Sequence, residues 1–161
     1  MDKELIYGEI SPKGIKQFIK LEPKCNKFMD IGSGYGKFTW VIGSFFGANE
    51  AYGIEIDKEK YKIAHKHFAG NYNKNIFFKC GDFRQFKDLI KEMDVIYSNC
   101  TTWKYETVAE LADIIKPETR FYHNSGKFFH KHKELHKPIK LHVQWTNKDY
   151  NFYKLITKFN R

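Results

Sequence analysis

One stretch of seven residues, Asp30-Ile31-Gly32-Ser33-Gly34-Tyr35-Gly36, restricts the fold of this chain more than any other. A short apolar run, Lys27–Ile31, leads into it, and apolar residues at Phe38, Val41, Ile42 and Phe45 follow at helical spacing. Three glycines in five positions let the backbone turn sharply and lie where a Cβ would collide. Strand, glycine turn and helix in that order open a βαβ unit. The alternation then continues, with strands expected at 50–56, 75–80 and 94–98 and helices at 58–68, 85–93 and 105–115, the last stopped by Pro117. Arg120-Phe121-Tyr122 reads as a fifth strand. Segments 140–145 and 152–157 flank the polar turn Thr146-Asn147-Lys148-Asp149 as an antiparallel hairpin. The expected fold is α/β and Rossmann-like, a mostly parallel seven-stranded sheet with helices on both faces. At 161 residues the chain makes one domain, 1–161.

The ligand follows from the charges around the glycines. Glu55 ends the second strand, 21 residues after Gly34, where a carboxylate can accept hydrogen bonds from both hydroxyls of a ribose. A dinucleotide fingerprint reads G-x-G-x-x-G and seats a pyrophosphate on a helix N-terminus. Here the pattern is G-x-G-x-G with Asp30 directly before it. A carboxylate repels phosphate and suits a positive amino group with a sulfonium, which favours S-adenosyl-L-methionine over NAD. Gly81-Asp82-Phe83 after the third strand offers a carboxylate for an adenine amino group and a ring to pack on the base. The bland alternative is a glycine turn that serves strand–helix packing alone.

Charge points to a partner class. Net charge is +9, and residues 116–161 carry eleven Lys and Arg against three acids, so almost all of it sits in the last third. Such a patch attracts polyanions. Lys127, Lys131, Lys133, Lys137 and Lys140 are the candidate phosphate contacts. His130, His132 and His136 are read as part of a basic, solvent-facing surface helix with no metal. Weak apolar periodicity between Phe121 and Leu141 predicts a short, irregular last helix, mobile without its partner. Cys25, Cys80 and Cys100 are too few and scattered for a disulfide framework. They read as reduced thiols, with Cys80 and Cys100 buried next to the site. Neither a membrane span nor a signal segment is visible, so the expected location is intracellular, in nucleus, cytoplasm or a viral compartment.

Five stretches, taken in order, resemble the disruptor-of-telomeric-silencing family, the histone lysine methyltransferases that lack a SET domain and have the class I methyltransferase fold. Tyr7-Gly8-Glu9-Ile10-Ser11 resembles its cofactor-covering loop, and residues 28–36 its F-V-D-L-G-S-G-x-G signature. Tyr52-Gly53-Ile54-Glu55 matches Y-G-x-E and Gly81-Asp82-Phe83 matches G-D-F. Residues 95–99 with Trp103 resemble its fourth strand and N-N-F-A-F loop. Val143-Gln144-Trp145-Thr146 with Asn151-Phe152-Tyr153 resembles its S-W-T and S-Y-Y hairpin, Phe152 standing where the family commonly has tyrosine. The resemblance runs from about Tyr7 to Thr157. It divides the domain into a cofactor-covering segment (1–26), a cofactor-binding core (27–122) and a basic segment with the hairpin (123–161). It implies that Tyr7, Glu9, Asp30, Gly32, Ser33, Gly34, Gly36, Glu55, Ile56, Asp82, Phe83 and Asn99 hold the cofactor. Asn99, Trp103, Trp145 and Phe152 would line the channel through which a lysine of a histone or nucleosome reaches the methyl group.

The chemistry of methyl transfer to an amine asks for alignment and a dry site. A lysine must first lose its proton, and an apolar aromatic channel favours the neutral form by desolvation. One alternative is an RNA or DNA base methyltransferase. Amino-directed members usually place [DNS]-P-P-[YFW] after the fourth strand, whereas this chain has Asn99-Cys100-Thr101-Thr102-Trp103. A second is a non-catalytic cofactor-binding partner protein, whose expected mark, a broken glycine loop or lost ribose carboxylate, is missing.

Overall fold

The computed structural model describes residues 9–70 and 73–155. Seven strands form one sheet: β1 (Lys27–Ile31), β2 (Glu50–Glu55), β3 (Ile76–Cys80), β4 (Val95–Ser98), β5 (Arg120–His123), β6 (His136–Val143) and β7 (Lys148–Leu155). Their order across the sheet is β3-β2-β1-β4-β5-β7-β6, and β7 runs antiparallel to both neighbours while the others are parallel. The expected architecture is the observed one. Among the described residues six α-helices surround the sheet: α1 (Pro12–Leu21), α2 (Lys37–Phe45), α3 (Lys58–Phe68), α4 (Lys87–Ile90), α5 (Tyr105–Ile114) and α6 (Gly126–Lys131). Because β1 pairs with β2 on one side and β4 on the other, the chain reverses its winding there. A cleft opens at the carboxyl ends of β1 and β4.

Alternation along the strands sorts the core onto two faces. Phe28, Ala51, Val95, Tyr97, Tyr122 and Phe152 face α1 and α2. Met29, Ile31, Ile54, Ile96 and Phe121 face α5 and α6. On the first face Phe18 of α1 is the hub, meeting the rings of Phe28, Phe38, Tyr97 and Tyr122 edge-on at 5.0–6.0 Å between centroids. Glu22, at the end of α1, ties that helix to the far side of the sheet. It accepts from Arg120 Nε at 2.8 Å, the Tyr122 hydroxyl at 2.5 Å and Lys154 Nζ at 3.2 Å.

Several element boundaries differ from expectation for local reasons. The helix expected at 85–93 begins earlier, as a 3₁₀ turn at Phe83–Phe86 followed by α4, because the Asp82 side chain caps it with Gln85 in a capping box. On α3 only Ala64 of the expected apolar face is fully buried. The hairpin strands are longer than expected and extend to His136 and Lys148. β6 is an edge strand, where Pro138 and exposed lysines are normal and hide the strand pattern. The last two residues of the strand expected at 152–157 lie outside the described residues. The last helix, α6, is short as expected and is seated by Phe128, which is fully buried, and by Phe129, stacked on Tyr153 at 4.0 Å.

The histidine reading needs correction. His136 lies in β6, is buried, and faces the fully buried His123, with their Nε2 atoms 2.8 Å apart. His132 meets the Tyr105 hydroxyl at 2.9 Å, and only His130 is exposed. Partner groups fix both tautomers of the buried pair. The Ser125 N–H donates to His123 Nδ1, so His123 Nε2 carries the proton. The His132 carbonyl accepts from His136 Nδ1, so His136 Nε2 receives it. Each ring is neutral, and burial, the largest cause, holds both below the usual histidine range. Among the described residues no three His, Cys, Asp or Glu side chains form a metal cluster.

The unfolded chain takes up protons on these rings below about pH 6.5 and the folded chain does not, so stability falls as pH drops through that value. For His123 the slope is about 1.4 kcal/mol per pH unit within the window. Urea denaturation between pH 7.5 and 5 is expected to show this loss, and His123→Phe is expected to flatten it; a wild-type profile already flat over that range contradicts the neutral pair.

Candidate active site

The glycine loop carries out the turn that its sequence requires. Gly32, Gly34 and Gly36 have φ of +83°, +55° and +84°, all in the left-handed region. A Cβ on Gly36 would also strike Phe78 and Ala64, whereas none of the described atoms stands within 4 Å of one built on Gly32. Glu55 clamps the loop from β2. Its Oε2 accepts the Gly34 N–H at 2.6 Å and its Oε1 the Asp57 N–H at 2.9 Å. Both oxygens keep further lone pairs, which suits a ribose diol. Gly53 of the same strand is needed because a Cβ there would press on the Ser33 hydroxyl and the Phe78 ring.

Glu9, Asp30, Gly32, Ser33, Lys37, Phe38, Tyr97 and Asn99 line the cleft beside the loop. Asp30 and Tyr97 are register partners on β1 and β4. Asp30 is only 4% exposed, and its Oδ1 has no hydrogen-bond partner among the described residues. Burial, then the carboxylates of Glu55 and Glu9, push its pKa well above the usual carboxylate range. An anion so placed calls for a cation from outside the chain. Lys37 brings the opposite charge to the same cleft. It opens α2, an end where the helix dipole disfavours a cation, so a local anion is the reason for it there. Sequence reasoning missed Lys37, and the signal was a lysine directly after the last loop glycine.

The two arms of the chain meet above this cleft. Ile10 bridges Val143, the Ser11 N–H donates to the His142 carbonyl at 3.1 Å, and the Gln144 N–H donates to the Glu9 carbonyl at 3.1 Å. Ser11 also caps α1 through the Gly14 N–H and lies 2.6 Å from His142 Nδ1. Glu9 therefore reaches the cleft because the hairpin holds its backbone.

The other expected site residues fall in different places. Tyr7 lies outside the described residues. Ile56, after Glu55, is exposed, as a residue that packs on a ligand would be. Asp82 caps the 3₁₀ turn through the Arg84 N–H at 2.9 Å and pairs with the Arg84 guanidinium at 2.9 Å. Phe83 is buried, with Trp103 stacked on it at 5.8 Å and Arg84 over its ring at 4.8 Å. Trp103 thus packs with the core face of α5, while Phe152 is fully buried on the opposite face, stacked behind Tyr97 at 5.5 Å. The structure does not gather Trp103, Trp145 and Phe152 into one wall. Trp145 stands in the hairpin turn, 40% exposed and packed on Tyr150. Asn99 is in the cleft. Cys100 is buried as expected, which pushes its thiol up to about 12 and keeps it from acting as a thiolate. Cys80 is corrected: it is exposed, because it is the last residue of edge strand β3 and, although it shares the face of the buried Ile76 and Phe78, it lies past the part of that face that is packed.

A family model described as a methyltransferase domain matches residues 23–158. The chain belongs to this methyltransferase domain family. No curated protein matches it significantly. Among solved structures, this methyltransferase is similar to an RNA methyltransferase from Salinibacter ruber in complex with S-adenosyl-L-homocysteine. That pair has 20% identity and a TM-score of 0.73, covering 95% of this chain and 96% of that one. An O-methyltransferase from Bacillus cereus in complex with SAH has 14% identity and a TM-score of 0.68, covering 93% and 83%. A ribosomal protein L11 methylase from Lactobacillus delbrueckii subsp. bulgaricus has 15% identity and a TM-score of 0.64, covering 91% and 76%. They share the fold of this methyltransferase.

S-adenosylmethionine, the methyl donor of this fold, fits the residues present. Asp30 would hold its ammonium, Lys37 its carboxylate and Glu55 its ribose, and the cleft that holds them is anionic. Asp30→Asn removes a buried carboxylate whose charge a cationic ligand would relieve. It is expected to raise the melting temperature of the cofactor-free protein by about 2–4 °C per kcal/mol relieved and to weaken S-adenosylhomocysteine binding by about 10- to 100-fold. Differential scanning fluorimetry with isothermal titration checks both, and a variant that melts lower without ligand contradicts the assignment.

Proposed function

We propose that this chain transfers a methyl group from S-adenosylmethionine to a lysine side-chain amine of a histone or another basic protein bound to nucleic acid. The observation that supports this reading is the joint above the cleft, where Glu9 and the Val143–Trp145 segment are held together by backbone hydrogen bonds. Those two segments carry the most specific part of the sequence resemblance, and they are more than 130 residues apart. The hairpin turn extends past the end of β5, since His123 pairs with Tyr153 and β7 begins five residues earlier. Trp145 therefore stands at the carboxyl edge of the sheet, where the cofactor cleft opens.

The cofactor supplies a methyl group already activated on a sulfonium. The chain's own residues then have three tasks. Asp30, Lys37 and Glu55 orient the donor. Tyr97, backed by Phe152, and Asn99 form the wall nearest the methyl end. Trp145 covers the approach and excludes water, which favours the neutral amine that has a lone pair to offer. Lys127, Lys131, Lys133, Lys137 and Lys140 are all exposed, on and after α6, and suit phosphates of nucleic acid around the target.

Tritiated S-adenosylmethionine offered with nucleosomes, free core histones or total RNA tests the reading. Label on a histone lysine is expected, with Trp145→Ala lowering kcat/KM by about 10- to 100-fold, roughly 1.4–2.8 kcal/mol of transition-state stabilisation. Label on RNA alone overturns it. Lys127→Glu with Lys131→Glu is expected to weaken nucleosome binding and to reduce the slope of log K against log salt by about one for each phosphate no longer neutralised. An unchanged salt slope argues against phosphate binding at these lysines.

A further inference from the structure

Asn124, at the end of β5, is 3% exposed, and its side chain reaches back to the loop after β4. Its orientation can be worked out from its partners. The Cys100 N–H is a donor only, so the Asn124 atom 2.7 Å from it is the carbonyl oxygen Oδ1. Asn124 Nδ2 is then the donor 2.6 Å from the Asn99 side chain, and the Asn99 atom that receives it is Oδ1. The Thr101 hydroxyl donates to the same oxygen at 3.3 Å. The backbone thus dictates the direction of two successive amides. Asn99 lines the cofactor cleft, whereas Asn124 lines a separate groove with Lys140, Asp149 and Tyr153.

We infer that Asn124 is a positioning residue that sets the polarity of Asn99, turning its carbonyl into the protein and its NH₂ group toward the methyl-donor end of the cleft. This rests on the methyltransferase reading and deepens it. An N–H donor at that place does not accept a proton from an incoming amine, so it does not orient the amine directly. It holds an oxygen: the carboxylate of the cofactor or a carbonyl of the acceptor close to its reacting amine. Ser125 supports the arrangement from the other side. Its N–H binds His123 and its hydroxyl caps α6, which fixes the backbone on which Asn124 stands.

Asn124→Asp tests the polarity. The ionised carboxylate still accepts the Cys100 N–H but presents a second oxygen to Asn99, which must turn its NH₂ inward and its carbonyl to the cleft. Once protonated, the introduced carboxyl donates as asparagine does and restores the original order. The variant is therefore expected to lose at least about tenfold at pH 8 and to recover toward wild type as the pH falls to 6, since burial raises the pKa of such a carboxyl. His123 and Cys100 beside it are held neutral across that range by burial, and Lys140 and Asp149 in the groove are common to both proteins.

Two readouts separate the sources of the oxygen. A loss in S-adenosylhomocysteine affinity, measured by titration without acceptor, assigns the Asn99 NH₂ to the cofactor carboxylate. Unchanged affinity with a fall in kcat assigns it to the acceptor. The first readout does not depend on what the acceptor is, so failure to methylate lysine leaves it intact. Asn99→Asp, which keeps an acceptor for Asn124 and has no N–H, should lose the same interaction without recovering by pH 6. Wild-type affinity and kcat for Asn124→Asp at every pH overturn the inference, as does a loss that the lower pH leaves unchanged.

Discussion

A carboxylate buried without a partner is expensive, and Asp30 is placed where none of the described residues relieves it. It sits mid-sheet on β1, next to Tyr97 on β4, with Glu55 and Glu9 adding like charge. The rest of the site follows from that constraint. The glycine loop keeps Cβ atoms away so that a ligand can approach, Glu55 pins the loop through the Gly34 N–H, and Lys37 would supply charge for the ligand's opposite end. Phosphate is excluded by the same carboxylate that attracts an ammonium. The cofactor-free protein therefore stores free energy in its site and recovers it on binding, as ligand-selective sites commonly do.

The second dependence is mechanical. Glu9 and the hairpin residue Gln144 are 135 positions apart in the chain, yet they are bonded to each other beside one cleft. Backbone bonds from Glu9 and Ser11 to the hairpin make the joint, and α1 stiffens it. The helix is anchored at its Ser11 cap and again at Glu22, which binds β5 and β7. Between those anchors Phe18 fills the face of the sheet behind Tyr97. Packing of the core and shape of the cleft are in this way the same problem.

The βαβ alternation and the ligand charges were legible because each is local. Glycine can take positive φ whatever the tertiary context, and a carboxylate before the glycine loop selects against phosphate. The mostly parallel sheet followed from chain alternation, whereas its strand order came from the structure. What sequence could not show is set by contacts across the chain. Phe152 and Trp103 look alike as aromatics near motifs, but strand parity puts one behind Tyr97 and the loop after β4 puts the other on Phe83. His136 looked like a surface residue among lysines because β6 is an edge strand, and only the sheet reveals that one side of it covers His123. Asn124 and Lys37 carry no motif. Their meaning lies in a backbone N–H and a neighbouring carboxylate.

Asp30 is assigned to the amino group of the cofactor, and a double cycle measures that proposed pairing directly. S-adenosylhomocysteine and its analogue lacking the α-amino group are titrated into wild type and Asp30→Asn. A coupling of about 1.5–3 kcal/mol is predicted, with wild type strongly preferring the amine and the variant indifferent to it. Equal loss from both changes, with no coupling between them, would contradict it.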